Sequence, residues 1–514
     1  MSPVVEQVDL DDLAARIRAA RVYALAERTP LQHAPKLSAE LGRPVWLKRE
    51  DLQDVFSFKI RGAANRMARL KEAEAARGVC AASAGNHAQG VAKSAAHYGV
   101  EATIFMPVTT PPIKVAAVEA RGATTRLVGD TYDDACAAAL AFAAETGAVF
   151  IHPFDEIDVI AGQGTVGMEI FEDAPRAVAG LYVCTGGGGL LSGIGAWSRK
   201  VSPATQLFAV EPEGAATYAA ALQAGRPVPL AHVDGFADGV AVRTFGETTF
   251  AIASALGARS VRVSNDEISA AARDIFELTR TVVEPAGALA LAGLRRSVGD
   301  GTAPDGDCVV TVSGANVNFD RIGHMVERAE FGAGGEMLLS AVIPEERGAF
   351  RRFVDALGTR AVTEFAYRYQ DAAQAHLLVG LKTRERAARE RVLSDLARAG
   401  VSASDLSEDR LAKRHLRHMV GGRVDPAADG GVPEVFFRVE FPERPGALGQ
   451  FLTALDARWN ISLFHYRNHG AAEGHVLCGF QLPRGDKAEL ERSLTAIGFP
   501  VWEETDNPAA KLFL

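Results

Sequence analysis

From Val45 to Asp320, short apolar or β-branched runs alternate with longer stretches whose apolar positions recur at helical spacing. Val45–Lys48, Val79–Ala82, Ala102–Met106, Thr124–Val128, Leu181–Cys184, Gln206–Val210 and Cys308–Val312 read as strands. Between them, alanine-rich segments such as Ala88–Tyr98 and Thr131–Glu145 read as helices, alanine being the best helix former. This alternation predicts an α/β fold with largely parallel sheets.

The pattern changes at the glycine cluster Gly332-Ala333-Gly334-Gly335, which sets the first portion at residues 1–332. Beyond it, Ile343-Pro344-Glu345-Glu346-Arg347-Gly348-Ala349-Phe350 recurs 98 residues later as Phe441-Pro442-Glu443-Arg444-Pro445-Gly446-Ala447-Leu448. The correspondence runs on through Phe353 with Phe451 and Leu357 with Leu455, then through Tyr367 with Tyr466 after one inserted residue. Two copies of one α+β module are expected at 337–409 and 433–506, joined by a connecting segment at 410–432. In each, a strand enters a proline- and glycine-containing turn, an amphipathic helix follows, and further strands complete the module. Between the two matching stretches, Thr383–Ala399 reads as a charged helix with a solvated face, carrying Val392, Leu393 and Leu396 on one stripe.

Composition narrows the function classes. The 514 residues are 48% hydrophobic and 23% charged, ordinary for a soluble globular chain, and the net charge is −9. Nucleic acid is not an expected partner: the basic run Arg410–Arg423 lacks interleaved aromatics. Ala177–Ser198 contains no charged residue and approaches the length of a membrane-spanning helix, but four consecutive glycines in its middle argue for strand, loop and helix. No membrane segment is expected. The amino terminus, Met1 to Asp12, reads as neither signal nor transit peptide, and five widely spaced cysteines suit a reducing cytosol. No metal-ligand pair appears among them.

Four segments then carry candidate chemistry. Ser57-Phe58-Lys59-Ile60-Arg61-Gly62 places one lysine between an aromatic residue and a helix start, where it can condense with an aldehyde cofactor. A solvated surface lysine is the plainer reading of that hexapeptide alone. Gly186, Gly187, Gly188 and Gly189, followed by Leu190, lie between a strand and a helix, so backbone N–H groups and a helix amino terminus can hold a phosphate. Ser83-Ala84-Gly85-Asn86-His87 follows another strand and opens another helix: its N–H groups and the Ser83 hydroxyl can hold a carboxylate, and Asn86 a ring oxygen, although simple N-capping would use the same residues. His87 reads as structural rather than acid or base. Ser313 ends the last strand, and a serine hydroxyl facing a pyridine nitrogen leaves that nitrogen largely unprotonated. Such a ring is a weaker electron sink, which favours expulsion of a β-leaving group over transamination. Lysine, phosphate cradle, ring anchor and nitrogen partner are what pyridoxal phosphate requires.

The chain resembles the biosynthetic threonine dehydratases over nearly its whole length. The resemblance rests on Lys48-Arg49-Glu50-Asp51, Ser57-Phe58-Lys59, Ala82-Ser83-Ala84-Gly85-Asn86-His87, the Gly186 to Gly189 run, Asp238-Gly239-Val240-Ala241-Val242, Glu284-Pro285-Ala286-Gly287-Ala288 and Ser313-Gly314-Ala315-Asn316. In the distal half it rests on Trp459–Arg467 and Glu504–Ala509. It implies a tryptophan-synthase-β-like, pyridoxal-phosphate-dependent catalytic domain followed by two ACT-like regulatory domains, a module type that pairs and often binds amino acids where it pairs. It further implies Lys59 as the Schiff-base lysine, Asn86 at the ring hydroxyl, Gly186 to Leu190 around the phosphate and Ser313 at the pyridine nitrogen. Ser83, Gly85, Asn86 and His87 would bind substrate, and Glu284 would line the pocket.

The expected reaction is deamination of L-threonine to 2-oxobutanoate and ammonia in isoleucine biosynthesis, with L-serine as a further substrate. Isoleucine is expected as inhibitor, valine as opposing activator, and a cytoplasmic homotetramer as the assembly. A serine racemase or catabolic serine/threonine dehydratase would share the catalytic half, and a non-catalytic amino-acid sensor would keep the fold. The racemase metal site expected around Glu211 loses its acid at Thr217, and no metal is expected.

Overall fold

A computed structural model describes residues 9–332, 336–346, 348–368, 374–383, 386–409, 433–442, 447–455, 459–467, 473–482, 485–496 and 500–507. The chain divides into two compact units, Met1–Gly332 and Ala333–Leu514.

The first unit holds ten strands: β1 (Leu31–His33), β2 (Val45–Arg49), β3 (Val79–Ala82), β4 (Ala102–Met106), β5 (Thr124–Leu127), β6 (Val149–Phe150), β7 (Val178–Cys184), β8 (Gln206–Pro212), β9 (Arg259–Val263) and β10 (Asp307–Val312). They form a six-stranded sheet ordered β1-β2-β10-β7-β8-β9 and a four-stranded sheet ordered β5-β4-β3-β6. All pairings are parallel except that of β1 on β2. Central strands are buried along nearly their whole length because helices cover both faces: every residue of β10 and all but one of β7 are buried. All seven expected strands are present. β1, β6 and β9 escape the pattern because the first two have only three and two residues, and β9 is an edge strand with polar alternation, Arg-Ser-Val-Arg-Val.

Parallel order gathers the carboxyl ends of the strands on one side of each sheet, where loops are free to build a site. β3 of the small sheet leads into Ser83, whereas β7 and β10 of the large sheet lead into the Gly186 loop and Ser313.

The second unit is an eight-stranded antiparallel sheet. Its strands are β11 (Glu336–Pro344), β12 (Val362–Arg368), β13 (Gln374–Lys382), β14 (Ser402–Asp405), β15 (Glu434–Pro442), β16 (Asn460–Arg467), β17 (Glu473–Gln481) and β18 (Val501–Glu503), in the order β14-β11-β13-β12-β16-β17-β15-β18. Each half is a βαββαβ repeat. The halves join through β12 and β16, where Phe365 faces Tyr466 and Tyr367 faces Phe464. Since Tyr367 corresponds to Tyr466 in the repeat, this register is a local two-fold. The helix Arg386–Arg398 corrects an expectation: it is the second helix of the first repeat, matching Lys487–Ala496 of the second. Its apolar stripe is core rather than a solvated face, with Val392 and Leu396 buried in the unit's hydrophobic cluster. The basic connecting run 410–432 lies outside the described residues.

Among the described residues, no helix is long and apolar enough to cross a membrane, and no group of acidic, histidine or cysteine side chains is arranged to hold a metal ion.

Candidate active site

Lys59 opens the helix Lys59–Met67, and the turn before it is stitched to the end of β10. Ser57 bridges Gly314, the Phe58 N–H donates to the Ser313 carbonyl at 3.3 Å, and the Ala315 N–H donates to the Phe56 carbonyl at 2.9 Å. Asn316 adds a bond from Nδ2 to the Val55 carbonyl at 2.8 Å. The turn that leads into the lysine is thus tied to the segment Ser313 to Asn316.

A cavity of about 630 Å³ lies beyond this turn. Lys59, Ser83, Gly85, Asn86, His87, Gly186, Gly187, Gly188, Gly189 and Leu190 all line it, so residues from both sheets converge on one space. Ser313 does not reach the cavity wall; it is buried, and its Oγ donates to the Ala286 carbonyl at 3.1 Å. Cys184, which does line the cavity, lies against it.

The Gly186 loop has the shape of an anion cradle. A Cβ on Gly187 would strike the Phe154 ring, and Gly188 has φ +92°, a conformation that a side chain disfavours. The 13-residue helix Gly189–Val201 starts there, presenting the unpaired N–H groups and positive end of its dipole. Thr249 fixes the loop from behind through Oγ1 to the Gly187 carbonyl at 2.7 Å, and Thr217 through Oγ1 to the Gly186 carbonyl at 3.1 Å. Thr217, at the position where a racemase metal site would need an acid, is thus a loop support. Glu211 is likewise committed, accepting from the N–H groups of Tyr218 at 2.6 Å and Ala219 at 3.0 Å.

Charges in the cavity are governed by burial. The Lys59 amine is pulled down to about 8 by desolvation, and its Nζ donates to the Pro153 carbonyl at 3.2 Å. His87 is pulled down to about 3, first by burial and then by the charge of Lys59. Its Nε2 faces the Ile151 carbonyl at 2.9 Å, so Nε2 carries the proton and the ring is neutral. Capping does not explain Ser83 and Asn86, because the cap position is Gly85 and no side chain closes the helix Asn86–Tyr98. Instead, Asn86 is fixed at both ends of its amide. Its Oδ1 accepts from Asn316 Nδ2 at 2.6 Å, and its Nδ2 donates to Glu284 Oε1 at 2.7 Å. A primary amide has two N–H bonds, so one remains for a further acceptor. Glu284 is raised to about 7, first by burial and then by the neighbouring Asp238.

A reactive lysine, a side-chain-free anion cradle at a helix start and an oriented amide fit pyridoxal phosphate. Phe154 under the loop, Lys114 paired with Asp238 at the cavity mouth at 2.8 Å, and Thr249 were not legible beforehand. They come from segments whose own patterns say only loop or helix.

Comparison with known proteins agrees with this geometry. Residues 22–314 match the family described as pyridoxal-phosphate dependent enzyme, and residues 327–416 and 430–514 match the C-terminal regulatory domain of threonine dehydratase. The L-threonine dehydratase biosynthetic IlvA of Burkholderia multivorans is 48% identical over 506 residues, 98% of this chain and 99% of that protein. Its Escherichia coli namesake is 44% identical over 497 residues, 96% and 95% of the two chains. Among solved structures, the processed form of threonine deaminase isoform 2 from Solanum lycopersicum aligns with TM-score 0.61 at 42% identity, over 62% of this chain and 88% of that one. Maize serine racemase aligns with TM-score 0.57 at 29% identity, over 62% and 97%. The catalytic unit has the tryptophan-synthase-β-like α/β fold, and the chain belongs to the biosynthetic threonine dehydratases, pyridoxal-phosphate-dependent lyases with a C-terminal regulatory portion.

Proposed function

We propose that the chain converts L-threonine to 2-oxobutanoate and ammonia, with Lys59 as both cofactor anchor and base. The observation that carries this reading is the convergence of Lys59, Asn86 and the Gly186 loop on one cavity. When bound, the cofactor supplies an electron sink for the charge left at Cα. Everything else falls to the chain. Gly186 to Leu190 hold the phosphate, Asn86 offers its second N–H to the ring hydroxyl, and Ser313 is assigned to the pyridine nitrogen, which its hydroxyl would reach only by turning from the Ala286 carbonyl past Cys184. The Ser83 hydroxyl and the N–H groups of Gly85 to His87 orient the substrate carboxylate. Lys59, uncharged at mildly alkaline pH because burial lowers it to about 8, takes the Cα proton. The β-hydroxyl would leave as water, the proton being one that the phosphate held by Gly186 to Leu190 would supply, and the free enamine would take up water to give the keto acid and ammonia. A Lys59→Ala variant that turned over threonine normally would refute the assignment.

The regulatory part of the proposal concerns 337–409 and 433–506 as two ACT-like domains that sense isoleucine as inhibitor and valine as its antagonist. It is supported by a second cavity lined from both repeats, by Ile343, Glu345, Phe350 and Tyr367 on one side and Leu452 and Trp459 on the other. Glu345, which accepts a hydrogen bond from Tyr367 Oη at 2.8 Å, lines this cavity, and a carboxylate is the kind of group that pairs with an amino-acid ammonium. Feedback requires isoleucine to bind one global state more tightly than another. Measuring 2-oxobutanoate from threonine, with and without isoleucine, tests both halves together. Deleting Glu336 to Leu514 should abolish the inhibition, and persistence would place the effector site elsewhere.

L-serine is proposed as a second substrate, the cytoplasm as the compartment and a homotetramer as the assembly. Turnover on the two hydroxyamino acids, with a D-serine assay, separates this reading from a racemase. A colourless protein unable to take up pyridoxal phosphate would favour a sensor.

A further inference from the structure

Four charged side chains with no solvent exposure sit beside the catalytic lysine and play no part in the chemistry above: Lys48, Glu50, Arg61 and Glu169. Arg61 follows Lys59 by two residues in the first turn of the same helix. Its Nε and Nη2 grip the Glu50 carboxylate in a fork, both at 2.8 Å, and its Nη1 and Nη2 meet Glu169 at 2.6 and 3.0 Å. Nη1 also donates to Thr165 Oγ1 at 3.1 Å and Nη2 to the Glu27 carbonyl at 3.0 Å. All five guanidinium N–H bonds are therefore used. Lys48 Nζ completes the cluster on Glu169 Oε2 at 2.5 Å and the Thr29 carbonyl at 2.6 Å. The four charges sum to zero.

Stability alone does not account for the cluster. Burying four charges costs desolvation, and well-packed apolar groups of similar volume serve stability as well or better. What apolar packing does not supply is direction. The forked bonds fix the rotation and depth of the Lys59 helix against Glu50, in the turn that follows β2, and against the helix Ile157–Asp173. Lys48 lies on β2 itself, opposite Thr311 of β10, two residues before Ser313. The cluster thus links the helix that presents Lys59 to the strand pair that ends at Ser313.

We propose that Lys48, Glu50, Arg61 and Glu169 form a positioning device that sets Lys59 relative to the end of β10, so that its amine meets both cofactor aldehyde and substrate Cα. The inference rests on Lys59 being the cofactor lysine. Arg61→Lys keeps the charge and loses the fork. In the full-length holoenzyme it is expected to bind threonine with nearly unchanged KM and to lose about 100-fold in kcat, the size of effect that a misplacement of about 1 Å produces. The circular dichroism induced in the cofactor band should change with it. Should Arg61→Lys fail to fold, the double variant Lys48→Met/Glu169→Gln removes one charge of each sign and leaves the Arg61–Glu50 fork. It should show the same change of kcat and cofactor band, reduced in size. Normal kcat and an unaltered cofactor band with only a lower melting temperature, in whichever variant folds, would show that the cluster is merely structural. Lys59→Ala, assayed alongside, separates the two claims: if it stays active the lysine assignment fails, whereas an inactive Lys59→Ala beside a fully active Arg61→Lys overturns the positioning role alone.

Discussion

Burial of single side chains sets the protonation map of the catalytic cavity, and Glu284 shows how this becomes a dependence on pH. Its carboxyl is raised to about 7, and Glu211 is likewise raised to about 7 by burial against the lowering effect of the Tyr218 and Ala219 N–H groups. A raised carboxyl keeps its proton in the folded state after the unfolded chain has lost it. Stability from these groups is therefore complete below the ordinary carboxylate range and is lost as pH climbs through about 7. His87, held down to about 3, pulls the other way up to its ordinary range, so the test is a difference: between mildly acidic and neutral pH, the melting temperature of cofactor-free Glu284→Gln should fall less, or rise more, than that of the parent, with the Glu211 share left in both. An unchanged slope would mean that Glu284 is ionised throughout. Phe56 offers a second test at this scale. It holds φ +55° and is half exposed at the cavity edge, so its backbone costs about 1 kcal/mol that little packing repays. Phe56→Asn, which tolerates that conformation, is expected to raise the unfolding free energy by up to about 1 kcal/mol in denaturant titration.

Elements act by what their ends present. The Gly186 loop works because β7 delivers it, the helix Gly189–Val201 receives it, and Phe154 closes it from another segment. Gly187→Ala forces a methyl into that ring, an overpacking of about 1–3 kcal/mol. Cofactor titration followed by absorbance should show at least about tenfold weaker binding, with the fold intact by far-ultraviolet circular dichroism. The distal sheet presents the equivalent case. At the junction of its repeats, Phe464 is fully buried against Phe350 at 5.5 Å and Phe365 at 5.6 Å. Phe464→Ala should cost about 3–5 kcal/mol there. Because the catalytic unit has its own core, threonine turnover should survive while the proposed response to isoleucine fades. Loss of both together would mean that the two units fold as one.

For the whole molecule, the legible part is the part written in local pattern. The seven main strands, the change of architecture at the glycine cluster and the duplication all follow from spacing that neighbours in sequence impose on one another. The candidate roles of Lys59, Asn86 and the four glycines needed more, since a solvated lysine, a capping asparagine and a plain glycine loop fit the same segments one by one; they rest on the segments occurring together and on the family resemblance. Edge strands such as β9 and two- or three-residue strands carry too little pattern to be read. The charged helix Arg386–Arg398 was misread because a two- or three-residue apolar stripe looks alike on a solvated helix and on one covering a sheet. Only its burial against the sheet tells them apart.

By itself, then, the sequence determined which chemistry is available and how many modules carry it, because residue type, periodicity and repetition are properties of the chain. Tertiary structure alone decided how those residues meet. Asn86 is oriented by Glu284 and Asn316, partners 198 and 230 positions away. Ser313 lies behind Cys184 instead of in the wall, and Arg61 is clamped by Glu50 and Glu169. Such contacts depend on strand order and on low-dielectric burial, and neither is encoded at any single position. That is also why Lys59 could be found in the sequence, whereas the depressed basicity that suits it to take a proton could not.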